Sequence, residues 1–167
     1  SEGGFAKDGQ GLKEKFKKHV MSGAKLYFST TPIGDEYFLT YGATKDKLVK
    51  YPFTSIYEKD ILERIPTIEE KQFLRDELNI KEKKVIISVG QFIPRKGFDI
   101  LLKASKNLPE NVGVYIIGGN PTDEYIQMKQ QLQLKNVYFV GFKRTDELSK
   151  YYQCADLFVF PTREDVW

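Results

Sequence analysis

The chain has 167 residues, 41% of them hydrophobic and 14% aromatic, which is enough to bury a core in one domain or in parts of two and too apolar for a disordered segment. Its 26 basic and 23 acidic residues leave a net charge of +3, without the strongly basic footprint of a nucleic-acid binder, and the single cysteine, Cys154, excludes an internal disulfide. No apolar run approaches the ~20 residues of a membrane-spanning helix, and the opening SEGGFAKDGQ lacks the anatomy of a signal peptide, so a cytoplasmic location is expected.

Residues 1–11 are polar and glycine-rich and read as a loop. Leu12, Phe16 and Val20 then share one helical face, with Lys13, Lys15, Lys17 and Lys18 around the remainder. Such a basic amphipathic helix suits peripheral contact with anionic lipid. The stripe is narrow and lacks Trp, which favours instead a core helix whose lysines are solvated. His19, the only histidine, has no Cys or His partner at ligand spacing and is expected at the surface, with no metal role. KLYFS at 25–29 reads as a strand, followed by Thr31 as helix cap, Pro32 in the first turn, and Gly42 as the stop. Lys47–Tyr51 makes a second short strand before Pro52. The segment PFTSIYEKDILERIP has weak periodicity and separates two strand-and-helix runs, which places a domain junction near residue 55: residues 1–55 end one domain, 56–83 form a linker and first helix, and 84–167 begin a second domain.

Thr67 and Glu70 form a capping box, and Phe73, Leu74 and Leu78 are the expected inward face of the helix that follows. Val85, Ile86, Ile87 and Val89 are a β-branched strand ended by Gly90, and the loop GQFIPRKG leads into a helix marked by Phe98, Leu101 and Leu102. Arg95 and Lys96 thus stand just ahead of a helix N-terminus, where unpaired N–H groups and the helix dipole favour an anionic ligand. Strands at Val112–Ile117, Val137–Val140 and Asp156–Phe160 alternate with helices at Thr122–Leu132 and after Thr145, the latter carrying Leu148, Tyr151 and Tyr152; Cys154, in the apolar YYQCADLFVF, reads as a buried thiol. Alternation of this kind predicts right-handed β-α-β units in a Rossmann-like parallel sheet with helices on both faces. Ligands bind beyond the carboxyl ends of such strands, which aligns Gly90–Lys96, Gly118–Asn120, Gly141–Arg144 and Thr162–Asp165 on one rim.

Taken together, VIISVGQFIPRKGFDILLKA, VYIIGGNP and NVYFVGFKRTDELSKYYQCADLFVFPTREDVW resemble the donor-binding half of retaining GT-B glycosyltransferases of glycosyltransferase family four, from about Lys84 to Trp167. Each motif alone is weak; the three in this order and at these spacings are specific. The resemblance implies a partial GT-B fold in which Lys96, with Arg95, holds the diphosphate of a nucleotide-sugar. Gly90, Gln91, Gly118 and Gly119 would line the donor, and backbone around Phe142 would bracket the base. Gln91 stands where many members carry an arginine, and Asn120 where a second glycine is frequent. The family's first signature acid falls on Asp165 by strict spacing, with Glu164 immediately before it, and either is a candidate to orient the donor-sugar hydroxyls. The second glutamate of the signature would follow Trp167, so the chain is expected to be a fragment, inactive on its own. Residues 1–55 resemble, less specifically, the closing part of the acceptor half.

The function so implied is transfer of a sugar from a nucleotide-sugar to a polysaccharide or lipid-linked glycan, with no metal or other cofactor and no nucleic-acid partner. A non-catalytic nucleotide-binding module and a GT-B sugar epimerase are the alternatives. A dinucleotide-dependent oxidoreductase is disfavoured, because GQFIPRKG and GGNP are not GxGxxG.

Overall fold

A computed structural model describes residues 11–54 and 56–163. The chain forms two compact units that part between Ile61 and Leu62, within the stretch read as linker.

In the first unit, helix α1 (Leu12–Ser22) is followed by strand β1 (Tyr27–Ser29), helix α2 (Pro32–Thr40) and strand β2 (Leu48–Lys50). The strands pair in parallel with Tyr27 opposite Leu48 and Ser29 opposite Lys50. Thr31 caps α2 as its position predicts, its hydroxyl oxygen accepting from the Gly34 N–H at 3.1 Å, and Gly42 leaves the helix at φ +108°. The expectation for α1 is overturned. Leu12, Phe16 and Val20 are 86%, 69% and 57% exposed, and the inward side carries Glu14, Lys17 and Met21 instead. Aromatic residues of β1 and of α2 and its end explain the reversal: the Lys17 ammonium lies 5.3 and 4.8 Å from the ring centres of Tyr37 and Tyr41, and the Met21 carbonyl accepts from the Tyr27 hydroxyl.

The second unit opens with helix α3 (Ile68–Glu77), whose Thr67–Glu70 capping box is present as read: the Thr67 N–H donates to Glu70 at 2.8 Å and the Glu70 N–H to the Thr67 hydroxyl at 3.2 Å. Its inward face differs from the expectation. Phe73 is 69% exposed, whereas Arg75 is buried beside half-buried Leu74 and Leu78. The Arg75 guanidinium is satisfied by backbone oxygens of Cys154 (3.0 and 2.8 Å) and Lys83 (3.0 Å) and by the Asp156 carboxylate at 3.0 Å, so burial leaves its donors paired.

Strands β3 (Lys84–Val89), β4 (Val112–Ile117), β5 (Val137–Gly141) and β6 (Leu157–Phe158) form one parallel sheet in the order β5-β4-β3-β6. Helices α4 (Phe98–Ser105) and α5 (Asp123–Gln131) bury Phe98, Leu101, Leu102 and Tyr125 against Val114, Ile116 and Val137. On the opposite face Leu74 of α3 and Tyr151 and Cys154 of α6 (Thr145–Cys154) pack against Val85, Ile87, Tyr115 and Ile117. The Rossmann-like parallel sheet covered on both faces is therefore present, and the β-branched runs of β3 and β4 are its two central strands. Helix α6 begins at Thr145, not after it; the Glu147 carboxylate accepts from the Arg144 N–H at 3.3 Å. The last strand is shorter than Asp156–Phe160 because only Leu157 and Phe158 pair with β3; beyond them the chain is held by Val159 N–H to Ile87 O and by the Ser88 hydroxyl to Val159 O. Cys154 is fully buried, and burial pushes its thiol up.

Candidate functional site

β3 has β4 and then β5 on one side and β6 on its other side, so the strand order reverses between β3 and β6. Their carboxyl ends flank the switch point at which open parallel sheets bind ligands.

The loop after β3 is anchored by Phe92, which packs against the rings of Phe98, Tyr125 and Phe139 at 5.1, 5.5 and 5.3 Å. Gly90 donates to the Ile117 carbonyl at 2.9 Å; Gln91 stays at the surface, its carbonyl accepting from the Ile93 N–H at 2.8 Å. Pro94–Lys96 makes a single 3-10 turn closed by Gly97 at φ +68°. A Cβ there would stand 2.1 Å from the Pro161 carbonyl oxygen, so the left-handed backbone and the close approach of the chain leaving β6 both require glycine.

The turn sends its two cations to different places. The Lys96 stem passes Gly90, whose hypothetical Cβ would lie 3.6 Å from Lys96 Cγ and Cδ, and its ammonium sits 4.8 Å from the centre of the Phe160 ring. Lys96 therefore lies at the crevice between the ends of β3 and β6. Arg95 is exposed and lines a separate groove of about 300 Å³ with Pro94, Asp99, Glu124, Tyr125 and Arg163. Arg163 forks onto Asp99, with Nη1 to Oδ1 at 2.8 Å and Nη2 to Oδ2 at 2.6 Å. Those hydrogen bonds hold the Asp99 carboxyl below its usual range and push the guanidinium of Arg163 up. Asp99 occupies the first turn of α4, where the helix dipole also favours a carboxylate.

Beyond β4, Gly118 donates to the Gly141 carbonyl at 2.9 Å. A Cβ on Gly118 would stand 1.8 Å from the Gly90 carbonyl oxygen, while one on Gly119 would meet nothing within 4 Å. Two adjacent rim loops thus touch through Gly118, and Gly119 leaves the backbone bare toward solvent. At the end of β5, Gly141 turns at φ +80° and Phe142 stands 78% exposed. Gly90, Gln91, Lys96, Gly118, Gly119 and Phe142 accordingly lie along the carboxyl rim of one sheet, with Arg95 on its flank. Glu164 and Asp165 lie outside the described residues. Among the described residues no three His, Cys, Asp or Glu side chains cluster as metal ligands, and no helix is long and apolar enough to cross a membrane.

Phe160, Asp99 and Arg163 belong to this rim although periodicity does not single them out. An acid in the first turn of α4 reads as an ordinary helix-end carboxylate, and its partner is 64 residues away in sequence. The aromatic at 160 reads simply as strand.

Residues 70–167 match the family described as Glycosyl transferases group 1. Alpha-galactosylglucosyldiacylglycerol synthase of Streptococcus pneumoniae is 25% identical over 142 residues, 81% of this chain and 37% of that protein. A GDP-mannose-dependent alpha-(1-6)-phosphatidylinositol monomannoside mannosyltransferase of Mycobacterium tuberculosis is 30% identical over 98 residues, 54% of this chain and 25% of that protein. Among solved structures, Anabaena HepE in complex with UDP-glucose has the same fold, with a TM-score of 0.70 at 18% identity over 87% of this chain and 40% of that one. The chain spans less than half the length of each of these relatives. The family match takes in the whole four-stranded sheet and every rim loop just described, and the chain belongs to the Glycosyl transferases group 1 family.

Proposed function

We propose that this chain supplies the first part of the donor site of a retaining, family-four glycosyltransferase, which passes a sugar from a nucleotide-sugar to a glycan or lipid-linked acceptor. The observation that carries this reading is the placement of Lys96 at the switch point, its stem against Gly90 and its ammonium beside Phe160. As the bond from the anomeric carbon to phosphate breaks, the sugar gains oxocarbenium character and the departing diphosphate gains negative charge. A cation fixed beforehand at that point stabilises the charge as it develops, and removing one such donor costs about 10²- to 10³-fold in rate. The open space at Gly119 would let the diphosphate approach the backbone closely, and backbone around Phe142 would bracket the base. Glu164 or Asp165 would orient the donor-sugar hydroxyls. HepE, in complex with UDP-glucose, supports a nucleotide-sugar as the donor class.

A titration series of UDP, GDP, ADP and CMP with the intact protein identifies the base. Lys96→Ala should then weaken the preferred nucleotide about ten- to a hundred-fold, the range for hydrogen bonds to charged groups, with the bare nucleoside almost unchanged. Equal losses for both would place Lys96 away from the phosphates.

The same proposal puts the protein at the cytoplasmic face of a membrane, against a lipid-linked acceptor. Leu12, Phe16 and Val20 face outward, Lys13, Lys15 and Lys18 are exposed beside them, and two relatives are named for a glycosyldiacylglycerol and a phosphatidylinositol mannoside. Vesicles containing phosphatidylglycerol should retain the protein better than phosphatidylcholine vesicles; equal retention would remove the membrane contact.

A further inference from the structure

We infer that Arg163 is a positioning residue: it locks the Pro94–Gly97 turn to the chain leaving β6, and so sets where Lys96 stands at the crevice. The role rests on the donor-site reading. Among the described residues the turn's amides are held by Lys96 N–H to Ile93 O at 2.9 Å and Gly97 N–H to Pro94 O at 3.2 Å, and the Gly97 carbonyl accepts from the Ile100 N–H of α4 at 2.9 Å. A three-residue 3-10 turn held that way is a soft support for a catalytic cation.

The chain leaving β6 supplies what the turn lacks. The Arg163 N–H donates to the Arg95 carbonyl at 2.9 Å, and the Thr162 hydroxyl donates to the same oxygen at 3.2 Å. Nη1 of Arg163 donates to the Pro94 carbonyl at 2.6 Å and to Asp99 Oδ1 at 2.8 Å, while Nη2 reaches Asp99 Oδ2 at 2.6 Å. Pro161 closes against the bare Gly97. The Arg163 side chain therefore ties the Pro94 carbonyl at the front of the turn and Asp99 in the first turn of α4 behind it to a segment from the far side of the switch point, while the Arg163 backbone and Thr162 hold the Arg95 carbonyl. Only a planar fork does this: the guanidinium matches the carboxylate with two bonds and still has an N–H for Pro94, which a lysine ammonium does not reproduce. Asp99 balances its charge locally, so Arg163 acts through the turn and not as a second phosphate ligand.

Displacing a catalytic group by about 1 Å costs on the order of a hundred-fold. The test combines amide hydrogen exchange with titration of UDP, GDP and ADP on the intact protein carrying Arg163→Ala, Arg163→Lys, Asp99→Ala, or the alanine pair. Arg163→Ala should speed exchange at Lys96 and Gly97 at least tenfold while the Val85–Val89 amides keep their protection. It should weaken the preferred nucleoside diphosphate about tenfold and leave the nucleoside unchanged. Asp99→Ala should give the same pattern, the double variant should be no worse than either single one, and lysine should restore only part. Unchanged exchange at the turn, or exchange raised equally across β3, would overturn the positioning role even if nucleotides bind. No binding of any nucleoside diphosphate by the unaltered protein would overturn the donor-site reading on which the role depends, whatever the exchange shows.

Discussion

Replacing Gly118 by alanine tests the joint between two rim loops. The new Cβ would lie 1.8 Å from the Gly90 carbonyl oxygen and 2.9 Å from its carbon, both backbone atoms, so no side-chain rotamer absorbs the clash. Relief requires the end of β3 or β4 to move, which stretches the Gly90 N–H to Ile117 O bond or the Gly118 N–H to Gly141 O bond, each now 2.9 Å. Overpacking costs about 1–3 kcal/mol, and a lost backbone hydrogen bond adds about 1 kcal/mol. The expected destabilisation is about 2–4 kcal/mol, which lowers Tm by roughly 5 °C or more. Gly119→Ala is the matched control, because its Cβ meets nothing within 4 Å. It should stay within about 0.5 kcal/mol of the unaltered protein. Urea titration and a thermal melt followed by circular dichroism read both variants. If Gly118→Ala falls within about 1 kcal/mol of the unaltered protein, or matches Gly119→Ala, the contact reasoning fails. The pair also separates packing from ligand approach, since on the proposed function Gly119→Ala melts normally yet binds a nucleoside diphosphate more weakly.

Removing the Arg75 side chain, as in Arg75→Met, strips the guanidinium from Asp156 and from the Cys154 and Lys83 carbonyls; losing one member of a buried pair of this kind costs about 3–5 kcal/mol. A shift in the urea midpoint worth less than about 1 kcal/mol would show that water replaces it. Asp99 gives a pH signature: hydrogen bonds from Arg163 hold its folded-state carboxyl below the ordinary 3.8, so the folded protein binds fewer protons there than the unfolded chain. Its contribution is complete above that ordinary value and is lost as pH falls through the depressed one. The stability gap between the unaltered protein and Asp99→Asn should therefore shrink as pH is lowered from about 5 to about 2, and a gap that widens would reverse the assignment.

Where the sequence is legible, local physics decides the structure. The β-branched run of β3, the Thr67–Glu70 box and the Thr31–Pro32 start of α2 each depend on residues within four positions of one another, and each stands where the pattern puts it. Where the reading departs, distant partners decide. Helical spacing offers Phe73 as a core residue, but α3 turns Arg75 inward, where Cys154 and Asp156, 79 and 81 positions away, accept from it alongside the nearer Lys83 carbonyl. Aromatic rings at Tyr37 and Tyr41 draw Lys17 inward, which turns the α1 stripe outward. The rim is legible as loops, since glycine and charge mark strand ends. The opposite placement of Arg95 and Lys96 is not, because it follows from the left-handed backbone at Gly97 and from Pro161 pressing against it. The fork from Arg163 to Asp99 is likewise invisible to any window shorter than 64 residues.

The buried Arg75 also constrains the order in which the second unit can be completed during synthesis. When the ribosome has delivered only as far as β5, the Lys83 carbonyl is available, but the Cys154 oxygen and the Asp156 carboxylate do not yet exist. A nascent chain at that length would carry a charged group facing a layer meant to be apolar, with one edge of β3 unpaired. Arrival of α6 and β6 supplies these acceptors and pairs that edge of β3, so Arg75 ties the burial of α3 to the segment that delivers β6.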